Sequence, residues 1–184
     1  MVKAEILLHG SFATTGIGHG TDKALIAGLL GMRPDDIRIP DSFFLAKKDG
    51  MEFSFSTITL KDAHPNTAVL RLTGEHGRKI EVQAASIGGG RILIAKLDGI
   101  EVNFSAEKPT LIVHNVDQPG HVAQVTSMLA EKQVNIATLQ LYRDKRGGYA
   151  VMVIETDQEV PEESVAWLEQ LDGIIKVTYI NVEE

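Results

Sequence analysis

Two imidazoles stand in segments bent by glycine and proline, and they are the side chains here best suited to handling protons. His19 lies within Gly16-Ile17-Gly18-His19-Gly20-Thr21-Asp22, and His64 within Asp62-Ala63-His64-Pro65-Asn66-Thr67. Histidine titrates near neutrality, so two of them on one cleft could position a substrate and move its protons. The proline after His64 forces an extended backbone there. Ala68, Val69, Leu70 and Leu72 then resume a strand, which places the ring at a strand mouth. Ser86-Ile87-Gly88-Gly89-Gly90-Arg91 is a third bent segment, and three glycines with no helix behind them suit close approach of a ligand or another chain. Taken singly, each segment is better explained as a solvated turn, and each histidine as a surface or satisfied core residue.

The elements around these segments follow from periodicity. Ala4 to Leu8 reads as a strand entering a small-residue loop, Gly10 to Asp22; Leu25, Ile26, Leu29 and Leu30 then give a helical face closed by Gly31. The loop looks like a nucleotide loop, but Thr21 stands where a dinucleotide fingerprint needs its third glycine, and no Gly-Lys-Ser/Thr closes a P-loop. Both nucleotide readings are rejected. His19 is left beside a helix N-terminus, whose dipole favours anions and the neutral ring. Met51 to Leu60 is a further strand, and Asp98-Gly99 is a hairpin turn between Ile92–Leu97 and Ile100–Phe104.

Charge divides the chain. Residues 1–108 carry 13 acidic and 13 basic side chains, residues 109–184 carry 12 and 5, so the net charge of −7 belongs to the second part. The boundary is set at 108/109, beside Glu107-Lys108-Pro109. Without a basic cluster and with scattered aromatics, nucleic acid is not expected as a partner. No apolar run approaches the ~20 residues of a membrane span, and the start lacks a signal peptide's apolar region, so a cytoplasmic location is expected. The chain has no cysteine, which excludes disulfides, a cysteine nucleophile and thiolate ligation of zinc or an iron–sulfur cluster by this chain.

Residues 109–184 read in the order strand, helix, two strands, helix, strand. Thr110–Val116 ends at Asp117-Gln118-Pro119-Gly120; a helix follows through Val122, Val125, Met128 and Leu129; Val134 to Asp144 and Tyr149 to Thr156 flank the turn Lys145-Arg146-Gly147-Gly148; a helix after Pro161 and a last strand through Ile174, Val177 and Ile180 complete it. The predicted class is α+β, an N-terminal α+β domain with mostly antiparallel strands over 1–108 and a ferredoxin-like βαββαβ domain over 109–184. A glycine opening a helix lets a ligand reach unpaired N–H groups that attract a carboxylate. Asn115, Asp117 and Asn135 could supply polar contacts to an amino acid, with Gly120 as the opening; a simple turn and helix cap would use the same letters. The order, with His114-Asn115-Val116-Asp117-Gln118-Pro119-Gly120 and Val134-Asn135-Ile136, resembles the ACT domain family, regulatory modules that bind amino acids, usually between two paired copies.

Taken together, Gly10-Ser11-Phe12-Ala13, Gly18-His19-Gly20-Thr21-Asp22, His64-Pro65-Asn66-Thr67 and Ser86-Ile87-Gly88-Gly89-Gly90, followed by the ACT-like module, resemble the beta chain of bacterial iron–sulfur-dependent L-serine dehydratase. The first domain also resembles the allosteric substrate-binding domain of some phosphoglycerate dehydrogenases. The resemblance implies a cysteine-bearing alpha chain as partner, holding a [4Fe–4S] cluster, and conversion of L-serine to pyruvate and ammonia. It implies that His19 and His64 position substrate or transfer protons, that Asn66, Thr67 and Gly88, Gly89 and Gly90 shape the pocket, and that Asn115, Asp117, Gly120 and Asn135 bind an effector such as L-serine. Chains of the family begin with a further serine-rich, histidine-containing segment; this sequence is expected to start after it, and the isolated chain to be inactive. A homodimer through the C-terminal modules is expected, either by joining sheet edges side by side or by packing helices, because an exposed ferredoxin-like edge is available for pairing. The alternative is a non-catalytic amino-acid sensor acting through paired ACT domains, which would have no cysteine-bearing partner.

Overall fold

The computed structural model describes residues 1–181. They form two compact units, Met1–Gly99 and a second that begins at Ile100.

In the first unit, strand β1 (Lys3–Gly10) buries Ala4, Ile6 and Leu8 on one side, the period of a strand with one face on a core. It pairs in parallel with β2 (Glu52–Thr57) and antiparallel with β3 (Asn66–Thr73). β3 pairs antiparallel with β4 (Lys79–Gly88), and β4 with β5 (Arg91–Leu97). Within this unit the sheet therefore runs β2-β1-β3-β4-β5. The one parallel pair needs a long crossover, and the chain between β1 and β2 supplies it with helices α1 (Ser11–Thr15), α2 (Thr21–Leu29) and α3 (Ser42–Lys48). Ile26 of α2 and Ala46 of α3 bury against Ile6, Leu8, Met51 and Ala68. Phe43 packs its ring 5.0 Å from Phe53 and 5.9 Å from Phe55. These rings are partly buried, whereas Ile26 is fully so; full burial of a side chain like Ile26 contributes about 1.5–3 kcal/mol, so this layer holds the crossover on the sheet.

Two stretches differ from the sequence expectation. Residues 11–19 are not an open loop: α1 and a 3-10 turn at Ile17–His19 fill them. The Thr15 hydroxyl donates to the Ser11 carbonyl at 2.9 Å, and Thr14 Oγ1 lies 3.3 Å from the Gly10 and Ser11 carbonyls. Gly16 permits the closure, because a Cβ there would stand 2.4 Å from the Phe12 carbonyl oxygen. Patterning also assigns nothing to residues 32–50, where α3 forms; its stability comes from tertiary burial rather than from an amphipathic repeat.

The second unit opens with β6 (Ile100–Phe104). It continues through β7 (Thr110–Val116), α4 (His121–Glu131), β8 (Ile136–Arg143), β9 (Tyr149–Thr156), α5 (Glu162–Leu168) and β10 (Ile174–Ile180). From β7 onward this is the βαββαβ order, and its antiparallel sheet runs β10-β7-β9-β8, the ferredoxin-like arrangement. Leu111, Val113, Met152, Ile154 and Val177 from the sheet meet Val125, Met128, Leu129 and Leu168 from the helices in one core. Tyr142 Oη of β8 accepts the Asn103 N–H at 3.0 Å, linking β6 to β8, and its single proton faces both Gln140 Oε1 and, at 3.2 Å, the Asn103 carbonyl oxygen. No helix among the described residues is long and apolar enough to cross a membrane.

Candidate functional site

Strand register gathers the first unit's candidate segments. Gly10, the last residue of β1, pairs with Asn66, the first of β3, and His9 pairs with Thr67. Thr67 in turn faces Ala85, near the end of β4. The helical turns that lead to His19, the His64-Pro65 approach to β3 and the Gly88–Gly90 turn therefore leave the same end of one sheet. Close packing fixes two of them together. Gly10 has φ +56°, and a Cβ on it would stand 2.5 Å from the Pro65 carbonyl oxygen and 2.9 Å from Pro65 Cα. Only glycine lets the start of α1 sit on that proline.

His64 is exposed, yet its ring is oriented. The Asn66 backbone N–H donates to His64 Nδ1 at 3.1 Å, and the Thr67 hydroxyl donates to the His64 carbonyl at 2.6 Å. An Nδ1 that accepts a hydrogen bond leaves the proton of the neutral ring on Nε2. His64 thus offers an Nε2–H donor outward. Thr67 is buried at 1% exposure, so its hydroxyl shapes the loop rather than a pocket wall. His19 ends the 3-10 turn and is exposed; its N–H donates to the Gly16 carbonyl at 3.1 Å, and Gly20, at φ +73°, swings the chain into α2.

Gly88, Gly89 and Gly90 are exposed at φ +90°, +65° and +76°, where the ladder between β4 and β5 shifts register. A tight turn with a bulge demands this left-handed run. Among the described residues nothing lies within 4 Å of where their Cβ atoms would stand, so no described neighbour needs their smallness.

In the second unit, Asn115 and the Asp117–Gly120 loop lie at one end of β7. Asp117 does not cap α4: its carboxylate accepts the Gly147 N–H at 2.9 Å and lies 3.3 Å from Arg143 Nη1, tying the loop to the β8–β9 hairpin. The Gly147 amide, with Arg143 behind it, holds this carboxyl below its ordinary range. Gly120, at φ +107°, leads into α4 without a side-chain cap, so the first-turn N–H groups face outward. Asn115 is 3% exposed; its amide donates to the Val116 carbonyl at 2.7 Å, while Oδ1 finds no hydrogen-bond partner among the described residues. His121 starts α4 with its ring against Gly173, where a Cβ would stand 2.6 Å from ring atoms.

Asn135 is elsewhere. It follows α4 and precedes β8, whose first residue pairs with Thr156, beside the Thr110 end of β7. Its amide donates to Asp157 Oδ2 at 2.7 Å, and that bond, followed by Lys108, lowers the Asp157 pKa. One chain thus sets Asn135 and the 115–120 loop at opposite ends of the same strand, about 20 Å apart at the usual rise per residue. Sequence reading also missed the Gly10–Pro65 contact and the Asp117–Gly147 bond. Both join segments distant in sequence, and no local pattern signals them.

Comparison with known proteins follows the same division. Residues 1–43 match the family described as serine dehydratase beta chain, and residues 109–173 the ACT domain. The chain is 35% identical over 181 residues to the L-serine dehydratase beta chain of Peptoniphilus asaccharolyticus, spanning 98% of this chain and 82% of that one. It is 37% identical over 175 residues to a probable L-serine dehydratase beta chain of Bacillus subtilis, spanning 95% and 79%. A D-3-phosphoglycerate dehydrogenase of Methanocaldococcus jannaschii is 31% identical over 113 residues, 61% of this chain and 22% of that one.

Proposed function

This chain belongs to the serine dehydratase beta chain family, and from that membership we propose that it is the beta subunit of an L-serine ammonia-lyase. It works with a cysteine-bearing alpha chain, and the pair forms pyruvate and ammonia from L-serine. The observation that carries the reading is the departure of the His19, His64-Asn66 and Gly88–Gly90 segments from one sheet end.

A [4Fe–4S] cluster, which the resemblance implies, does not fit the residues of this chain. There is no cysteine, and among the described residues no group of three or more His, Asp or Glu could hold a metal. The cluster is therefore assigned wholly to the alpha chain.

What this chain supplies is orientation and proton handling. Serine loses its α-proton and its β-hydroxyl, so the reaction needs a group that takes a proton and a group that protonates the leaving oxygen. The outward Nε2–H of the neutral His64 ring suits a hydrogen bond to the serine hydroxyl or carboxylate that orients the substrate. His19, flanked by glycines, suits contact with the same substrate once the alpha chain closes over both exposed rings. The ACT unit is regulatory, with its amino-acid site at the Asn115–Gly120 loop of one copy and Asn135 of another in a homodimer.

The test is co-purification with a candidate cysteine-rich partner under anaerobic conditions, then assay of pyruvate from L-serine. In that pair, His64→Ala and His19→Ala each lower turnover about 10²-fold or more. Unchanged kinetics would remove the residue concerned from the site, and failure to pair would leave the amino-acid sensor as the reading.

A further inference from the structure

Among the contacts at the gathering end of the first sheet, one involves an imidazole to which the mechanism gives no part. His9, the penultimate residue of β1, is half-buried, and its Nδ1 lies 3.3 Å from the Ile58 carbonyl oxygen and 3.2 Å from the Leu60 amide nitrogen. The parallel ladder between β1 and β2 ends just before this point, with the Ile58 N–H donating to the Leu8 carbonyl at 3.0 Å. Had the ladder continued, the Ile58 carbonyl and the Leu60 N–H would both have met the backbone of Gly10. Gly10 instead turns away at φ 56°, ψ −125° to start α1. The His9 ring stands in for the missing rung.

The segment so held is the one that ends at His64. At its near end His9 Nδ1 sits between the Ile58 carbonyl and the Leu60 N–H and bonds one or the other; at its far end Pro65 is wedged on Gly10, and the Asn66 and Thr67 groups orient His64. Both anchors belong to consecutive residues of β1. We infer that His9 is a positioning residue, whose ring Nδ1 fixes residues 58–65 and thereby the orientation of His64. This deepens the dehydratase reading and rests on it only for the kinetic consequence.

The chemistry sets a condition on the test. A single Nδ1 accepts from Leu60 when it is bare and donates to Ile58 when it carries the proton, never both at once. Asparagine places an amide nitrogen or oxygen near the Nδ1 position and can serve either partner, whereas phenylalanine fills the space and serves neither. Long-range proton–nitrogen spectra of the isolated full chain read the His64 tautomer, and hydrogen exchange reads the Leu60 and Asn66 amides. In the parent, neutral His64 carries its proton on Nε2 and both amides are protected. His9→Phe abolishes protection at Leu60 and Asn66 and averages the His64 tautomer, while Trp167 fluorescence shows the second unit still folded; His9→Asn keeps the parent pattern. In the reconstituted pair His9→Phe lowers kcat about tenfold or more with little change in KM, and His9→Asn restores it. A His9→Phe chain with parental His64 spectra and parental protection would overturn the inference, and so would a His9→Asn chain that behaves like His9→Phe. An unmodified pair that makes no pyruvate would instead sink the dehydratase reading, leaving the spectra to decide the role of His9.

Discussion

The Asn66 amide meets His64 at Nδ1, and that contact decides what the ring offers. A carbonyl in the same place would have put the proton on Nδ1 and left a base facing outward. Asp117 shows the same economy in a carboxylate. Its folded pKa is depressed from 3.8, first by the Gly147 N–H and then by Arg143, so its bonds stabilise the folded state fully above the unfolded value and progressively less as pH falls through the lower folded one. Acidification below about pH 4 therefore loosens the β8–β9 hairpin, read as faster exchange at the Gly147 amide. Asp117→Asn makes that amide's exchange insensitive to pH in this window after correction for intrinsic rates; an unchanged profile would show that another group holds the turn. The types and spacing of His19, His64 and Asn66 were legible as a candidate set. The tautomer was not, because it depends on a backbone amide whose direction is set by the fold.

At the scale of elements, the βαββαβ order of the second unit from β7 onward was legible in the sequence. Thr110–Val116, Tyr149–Thr156 and Ile174–Ile180 are marked by β-branched runs and closed by turn residues, and its helices show an apolar stripe. The crossover in the first unit was harder, since small residues in 11–19 form turns stabilised by threonine hydroxyls and α3 depends on a distant sheet. The glycine turn separates two reasons for the same residue type. Gly90 stands in open space at φ +76°, while Gly10 stands against Pro65. Asparagine tolerates the left-handed region, so Gly90→Asn costs under about 1 kcal/mol in urea unfolding, whereas Gly10→Asn costs several times more through the clash. If Gly90→Asn keeps stability but abolishes turnover in the reconstituted pair, the turn touches substrate or partner; retained turnover assigns the three glycines to the hairpin alone.

The whole molecule poses a question that a single chain does not answer, because Asn135 and the Asn115–Gly120 loop stand at opposite ends of β7. A two-fold axis resolves it: the same surface meets itself with its ends exchanged, so one copy's loop can face the other copy's Asn135. On the amino-acid-binding reading proposed above, each site is then shared, which makes a complementation experiment decisive. Asn115→Ala chains and Asn135→Ala chains each form dimers in which both sites are defective. In a mixed dimer isolated with two different tags, one site combines the intact loop of one copy with the intact Asn135 of the other, and the second site combines both lesions. Calorimetric titration with L-serine then finds half the sites of the unmodified dimer at near-parental affinity, although neither single variant binds. If each site lay within one chain, mixing would restore nothing. If Asn135 served only Asp157, to which its amide is bonded at 2.7 Å, the Asn135→Ala dimer would bind L-serine as the parent does and lose only stability.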